Sequence, residues 1–212
     1  MDKQQEQLDS IREIRSLMER SSRFSSLSGL AGVVVGVLAI AGVIAAYLFL
    51  GISPSQPAYY SLLSNEQGEL NMNLVTYLAA DFIFVLIASL IAGLYFSAKK
   101  AKQQNQPVWD VTARRLLINL TIPLLAGALY CLILLYHGHI ALIAPASLIF
   151  YGLALLNASR YTINDIRSLG IIEIVIGLIA SLFISYGLLL WALGFGLLHI
   201  VYGITIYLKY EK

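Results

Sequence analysis

The 14 Lys and Arg residues of this 212-residue chain fall in four clusters, and nothing restricts its fold more than that spacing. The clusters occupy residues 3–23, 99–115, 160–167 and 209–212. Between them lie three blocks free of basic residues, 24–98, 116–159 and 168–208, of 75, 44 and 41 residues. A helix needs about 20 predominantly apolar residues to cross a hydrocarbon core roughly 30 Å thick. Each block therefore holds two crossings and a turn, which brings the chain back to the side it left. Composition agrees. Hydrophobic residues make up 58% and charged residues 12% of the chain, against about 45–50% and about 25% in soluble domains. Too little polar surface is available to cover such a chain in water. A net charge of +2 gives no electrostatic footprint for nucleic acid, and the single Cys131 forms no internal bridge.

The expected fold is all-α and polytopic: six transmembrane helices arranged as three helical hairpins. The spans are placed at about 27–50, 72–97, 115–136, 140–159, 169–190 and 192–208. Residues 1–26 form a segment ahead of the bundle (27–208), and 209–212 form a short tail. The 51–71 connection carries Pro54, Pro57, Asn65 and Gly68 and reads as a loop. His137-Gly138-His139 turns the second hairpin. The bend of the third is placed between Trp191 and Gly196, which is the weakest boundary: a single crossing there would move the C-terminus to the other side. With six spans every Lys and Arg lies on one face, and the positive-inside rule makes that face cytoplasmic with both termini inside. The 51–71 loop has Glu66 and Glu69 but no base, which avoidance of lipid alone does not explain. The first apolar stretch begins behind a long charged segment, so it reads as an uncleaved first helix rather than a signal peptide.

Ahead of the bundle, residues 6–23 have helical periodicity, with Ile11, Ile14, Leu17 and Met18 on one side and Asp9, Arg12, Glu13, Ser16, Glu19, Arg20 and Arg23 on the other. Such a helix either lies on the membrane interface with its bases near anionic headgroups or docks a soluble partner or a second copy. The run from Ile11 to Arg20 (IREIRSLMER), followed by Arg23-Phe24 and Leu27-Ser28-Gly29-Leu30-Ala31-Gly32, resembles the opening of a family of multi-span membrane proteins from Bacteroidota-type bacteria. The resemblance covers residues 8–40. It implies a bacterial cytoplasmic membrane location and carries no activity with it.

Small residues recur four apart at Ser28-Gly32-Gly36, Ala41-Ala45, Ser89-Gly93-Ser97 and Gly177-Ser181-Ser185. Ridges of this kind let helix backbones approach closely where lipid offers no hydrophobic drive. They serve either packing within the bundle or a surface for a partner subunit or homo-oligomer, for which Gly32 and Gly36 of span one are the best candidates. A faint echo between residues 29–39 and 170–180 hints at repeated hairpins, a transporter-like feature.

Ionisable residues inside a span are functional candidates by default. Asp81 lies about 13 Å, and His199 about 10 Å, below the outer ends of their spans at 1.5 Å per residue, so the two can pair. Such a pair suits proton relay, cation coordination or polar-solute binding; the plainer alternative is a capped group that fixes helix register. Glu173 matches Asn119 in depth and is near Asn157, which predicts a second polar cluster. Pro123 has no N–H and frees a carbonyl near residue 119. His137, His139, His199 and Cys131 share the outer half, yet their spacing resembles no metal or haem site, and neither metal nor cofactor is expected. Tyr59-Tyr60 in the outer loop serve either an interfacial belt or a lid.

Enzymatic activity is not expected. Asp81 is the only Asp in a span, and His-Glu-x-x-His, Gly-x-Ser-x-Gly and phosphate-binding glycine loops are all missing from the sequence. Two functions remain. One is an interaction or accessory subunit of the lipid bilayer with a docking helix at residues 6–23. The other is a solute-binding or transport component built on Asp81 and His199. The size, six spans and Ala41-x-x-x-Ala45 are similar to the vitamin-binding subunits of energy-coupling-factor transporters.

Overall fold

The computed structural model describes residues 5, 27–53, 59–63, 70–104 and 107–212. The amphipathic segment with Ile11, Ile14, Leu17 and Met18 lies outside the described residues. The fold is all-α and polytopic, with six helices among the described residues from 27 onward: α1 (Gly29–Leu50), α2 (Met72–Gln103), α3 (Val111–Tyr136), α4 (Ile143–Ala158), α5 (Asp165–Leu182) and α6 (Ile184–Tyr210). Five of them are long and apolar enough to cross a membrane; α4 counts among them with its flanking 3-10 turns, as Ile140–Tyr161. The sixth, α5, is 18 residues long and carries Asp165, Arg167 and Glu173.

Helix ends follow local chemistry. The Asn71 side chain accepts from the Leu74 N–H and Asp110 from the Ala113 N–H, each capping the first turn of its helix. α1 stops at Gly51, whose φ of 66° is the left-handed conformation that glycine adopts without a Cβ clash. Gly138 turns the second hairpin with φ 75°.

The expected bend between Trp191 and Gly196 is not there. α5 ends at Leu182 with Phe183 as its C-cap, a 3-10 turn spans Ile184–Tyr186, and the chain then runs without a break to Tyr210. Residues Ala192–Leu198, where Gly194 and Gly196 suggest a turn, form a π-helical segment inside α6. In lipid each backbone polar group needs an internal partner, so glycines alone do not open a helix there.

Packing runs as a chain of neighbours. α2 lies on α1, α1 on α6, α6 against α4 and α5, and α3 on α4. Two seams are glycine-lined. At the first, a Cβ on Gly203 would sit 2.6 Å from the Val33 nitrogen and 2.7 Å from the Gly29 oxygen, and one on Gly36 would sit 2.5 Å from the Gly196 oxygen. Gly32 likewise faces Gly203, at 3.1 Å from its Cα. The Gly32–Gly36 ridge, expected as a partner surface, is thus taken up by α6 of the same chain. At the second seam, a Cβ on Gly152 would lie 2.5 Å from the Gly170 oxygen. Close approach of this kind replaces the missing hydrophobic drive by dispersion contact. The face of α2 around Phe84, Ile87, Leu90, Ile91 and Leu94 and that of α3 around Ile122, Leu125, Leu129 and Leu132 are exposed, as helices at the rim of a lipid-embedded bundle require.

One end of the bundle is tied by charge. Lys100, 6% exposed, donates to the Leu27 carbonyl at 2.7 Å and to Glu211 Oε1 at 3.3 Å. Glu211 accepts from the Gly29 N–H at 2.6 Å and from Ser28 Oγ at 3.5 Å. The start of α1, the end of α2 and the end of α6 therefore meet at one place. Beside them Asp165, at the start of α5, accepts from Lys209 and Tyr210.

Candidate functional site

The interior polar site lies where α4, α5 and α6 meet, and it is not the expected pair of Asp81 with His199. α5 begins at 165 and ends at 182, so Glu173 sits at the middle of the helix rather than near one end. Because α6 begins at 184, His199 also comes to the middle of the bundle. The two side chains meet, with His199 Nδ1 3.5 Å from Glu173 Oε1. Glu173 is 0% exposed and His199 5%.

The histidine is held on both nitrogens. Nδ1 lies 3.0 Å from the Gly194 carbonyl and Nε2 lies 2.7 Å from the Tyr151 hydroxyl. A carbonyl only accepts, so Nδ1 carries the hydrogen of that bond. In the neutral ring Nε2 is then the acceptor and the Tyr151 O–H donates to it. Glu173, by contrast, has no hydrogen-bond partner on either carboxylate oxygen among the described residues. Its Oε2 rests where a Cβ on Gly194 would be, 2.5 Å away, with Leu148 Cδ2 equally close to that point. Gly194 is thus the residue that admits the carboxylate, and the same residue's carbonyl orients the imidazole.

An aromatic wall backs the site. Ring centroids of Tyr151 and Phe195, and of Trp191 and Phe195, lie 4.8 Å apart, and Phe195 stacks on His199 at 5.9 Å. Trp191 donates its indole N–H to Ser147 Oγ at 3.2 Å, and Ser147 donates in turn to the Ala144 carbonyl. Ser147 and Tyr151 are four apart on α4 and so share one face, which meets both ends of the π-helical segment. π-helical segments occur often at functional sites.

The remaining candidates go elsewhere. Asp81 faces α1, its carboxylate oxygens 3.4 Å and 3.7 Å from a Cβ built on Gly42. α2 packs on α1, and although Phe82, next to Asp81, reaches Trp191 of α6 at 6.1 Å, the Asp81 carboxylate turns to Gly42 of α1. Asn119 donates to the Arg115 carbonyl of its own helix at 2.8 Å, away from Glu173. Its carbonyl, released from the helix ladder because Pro123 has no N–H, accepts from Asn157 Nδ2 at 2.9 Å. That bond ties α3 to α4, so the expected Glu173–Asn119 cluster divides into two. His137 and His139 stack on each other at 6.5 Å near the turn they form, remote from His199. Among the described residues no three of His, Cys, Asp and Glu converge as metal ligands.

Tyr151 was not legible as a site residue. It is one of 13 tyrosines, and most of the others lie near helix ends. A tyrosine far from both ends of an apolar helix needs a buried partner for its hydroxyl, and that requirement is the signal that would have found it. No protein-family model matches the chain, and neither a curated protein nor a solved structure does so.

Proposed function

We propose that this chain is a solute-binding or transport component of a bacterial cytoplasmic membrane, working through Glu173, His199 and Tyr151. The observation that carries the proposal is Glu173: wholly buried, without a hydrogen-bond partner among the described residues, and 3.5 Å from an imidazole nitrogen. An ionisable group at the middle of a span costs about 2.5–3.5 kcal/mol on insertion scales. A fold that keeps one there without bonding it gains no stability from it, so its value is chemical. In this reading both termini are cytoplasmic and the basic end of the bundle faces the cytoplasm.

A second reading, an accessory subunit that engages a partner through residues 6–23, draws on the clamp at Leu27. The point where that segment joins the bundle is fixed by Lys100 and Glu211, as a docking arm requires. The two readings separate by where substitution hurts. In a host strain lacking the chain, wild-type protein, Glu173→Gln and a form without residues 1–23 are expressed at equal membrane levels. Growth is then scored across pH and nutrient conditions in which the deletion has a phenotype. Failure of Glu173→Gln with rescue by the shortened form supports the interior site. Rescue by Glu173→Gln with failure of the shortened form overturns it in favour of the accessory subunit.

A further inference from the structure

We infer that the ligand taken up at this site is a proton, shared between Glu173 and His199 and coupled to the π-helical segment of α6; the inference rests on the reading of Glu173 as the working residue.

Three observations converge. First, the surroundings of the carboxylate suit no larger cation. A calcium ion takes about 6–8 oxygen ligands and zinc about 4 donors. Here the walls near Oε2 are the α-carbon of Gly194 and a methyl of Leu148. The one nitrogen within ion-pair distance, His199 Nδ1, already gives its hydrogen to the Gly194 carbonyl. A proton needs no coordination shell. Second, that same N–H stands between two acceptors, the Gly194 carbonyl at 3.0 Å and Glu173 Oε1 at 3.5 Å. Third, Tyr151 extends the line of exchangeable hydrogens beyond Nε2 at 2.7 Å.

The step balances without any other reactant. Uptake of one proton at Nε2 turns the neutral imidazole into an imidazolium beside the carboxylate; the Nδ1–H bond then breaks and the Oε1–H bond forms, and the bonding electrons stay on nitrogen. The products are a neutral imidazole and a neutral carboxylic acid. The Gly194 carbonyl, inside the π-helical segment, loses its side-chain donor in the same event. Proton position and segment geometry are thereby linked through one oxygen. The groups facing Glu173 are His199 from α6 and Tyr151 from α4. Its own helix carries Asp165 and Arg167 only at its first turn, and the Asp81 carboxylate of α2 faces Gly42 of α1.

The test uses the full chain reconstituted in phosphatidylcholine vesicles. Infrared difference spectra are recorded on a pH step at constant sodium, and again on a sodium step at constant pH. The expected result is a protonated-carboxyl band that appears on acidification, shifts in heavy water and disappears in Glu173→Gln but not in Asp81→Asn. In a Trp109→Phe background, Trp191 emission should follow the same pH course and become pH-independent in Glu173→Gln. Far-ultraviolet circular dichroism establishes that each variant is folded. A Glu173 signal that answers to sodium at fixed pH overturns the proton while leaving the site reading in place. A Glu173 signal that answers to neither step overturns the proton as ligand, and the growth assay with Glu173→Gln then decides the site reading by itself. A pH-driven band that persists in Glu173→Gln assigns the proton to another group and overturns the inference.

Discussion

Replacing Glu173 by methionine should make the protein more stable while removing its function. The carboxyl group is fully buried and makes no hydrogen bond, so the substitution breaks none. Met has nearly the same length, is flexible enough to settle against Leu148 and Gly194, and exchanges a polar head for dispersion contact. Replacing buried ionic groups by apolar ones of similar volume is neutral or stabilising by about 1–4 kcal/mol. Insertion scales put a charged residue at mid-span about 2.5–3.5 kcal/mol above an apolar one. A gain of about 2 kcal/mol is therefore expected for Glu173→Met. His199 keeps both of its own bonds, to Gly194 and Tyr151, so no new orphan is created. Equilibrium unfolding in mixed detergent and dodecyl sulfate micelles, followed by far-ultraviolet circular dichroism, measures the difference. Glu173→Gln is the companion variant and should gain less, because an amide carries donors that also go unmet. If Glu173→Met is instead destabilised by more than about 1 kcal/mol, the carboxyl group holds the bundle together. The argument that Glu173 is kept for chemistry would then be wrong.

Other substitutions probe the packing and the charged end. Gly203→Ala meets the backbone of α1 at 2.6 Å and 2.7 Å, so whole helices must part; a loss of about 3 kcal/mol is expected, the upper end of overpacking costs, by the same unfolding measurement. Gly93→Ala has nothing within 4 Å of the new Cβ and should be neutral or gain up to about 1 kcal/mol from helix propensity; equal losses in the two variants would refute the seam. Lys100→Met strips one partner from the buried pair with Glu211 and should cost about 3 kcal/mol, the low end for such a removal, since Glu211 keeps the Gly29 N–H. Burial raises the Asp165 carboxyl, but hydrogen bonds from Tyr210 and Lys209 and the charge of Lys209 outweigh it and hold the group below its usual value. A depressed carboxyl stabilises above its unfolded value of about 3.9 and stops doing so as pH falls through the folded one. The stability difference between wild type and Asp165→Asn should thus be present at neutral pH, small because solvent screens it, and vanish on acid titration.

Helix existence was legible from the spacing of Lys and Arg, and four of the six spans lie within a few residues of the observed helices. The third basic-free block was not. Gly194 and Gly196 suggest a turn by composition, yet the backbone there stays hydrogen-bonded as a π-helical segment. The real turn, at Phe183–Tyr186, has no proline and only Gly187 beside it. Moving the turn by about eight residues changed the depth of both neighbours. Glu173 shifted from one end of its helix to the middle, and His199 from the outer half toward the centre. Depth matching then selected Asp81 as the histidine's partner in place of Glu173. The Pro123 expectation held because it depended on a missing N–H and not on span boundaries: the freed Asn119 carbonyl found Asn157.

The same helix carries the rigid seam and the site, and its glycines show how the two are kept apart. Along the half of α6 from Gly196 onward, α1 approaches backbone to backbone: Gly36 meets the Gly196 oxygen and Gly203 meets Val33 and Gly29. The Ile200 and Ile40 side chains fill the rest of that seam, and the direct backbone contacts hold that half of α6 to α1. At Gly194 the neighbours are the ends of two side chains, Glu173 and Leu148, which yield by rotation about their own bonds. A charge change at Glu173 is thus felt first at Gly194 and Phe195, ahead of the seam. The π-helical segment begins at Ala192, just after the Trp191 that is tied to Ser147. Between that tie and Gly196 lie only four residues, Ala192 to Phe195, and the His199 side chain reaches into them with its bond to the Gly194 carbonyl. A proton that moves that bond acts on a stretch of α6 whose contacts are made by side chains, those of Glu173, Leu148, Tyr151 and Trp191, rather than by a facing backbone.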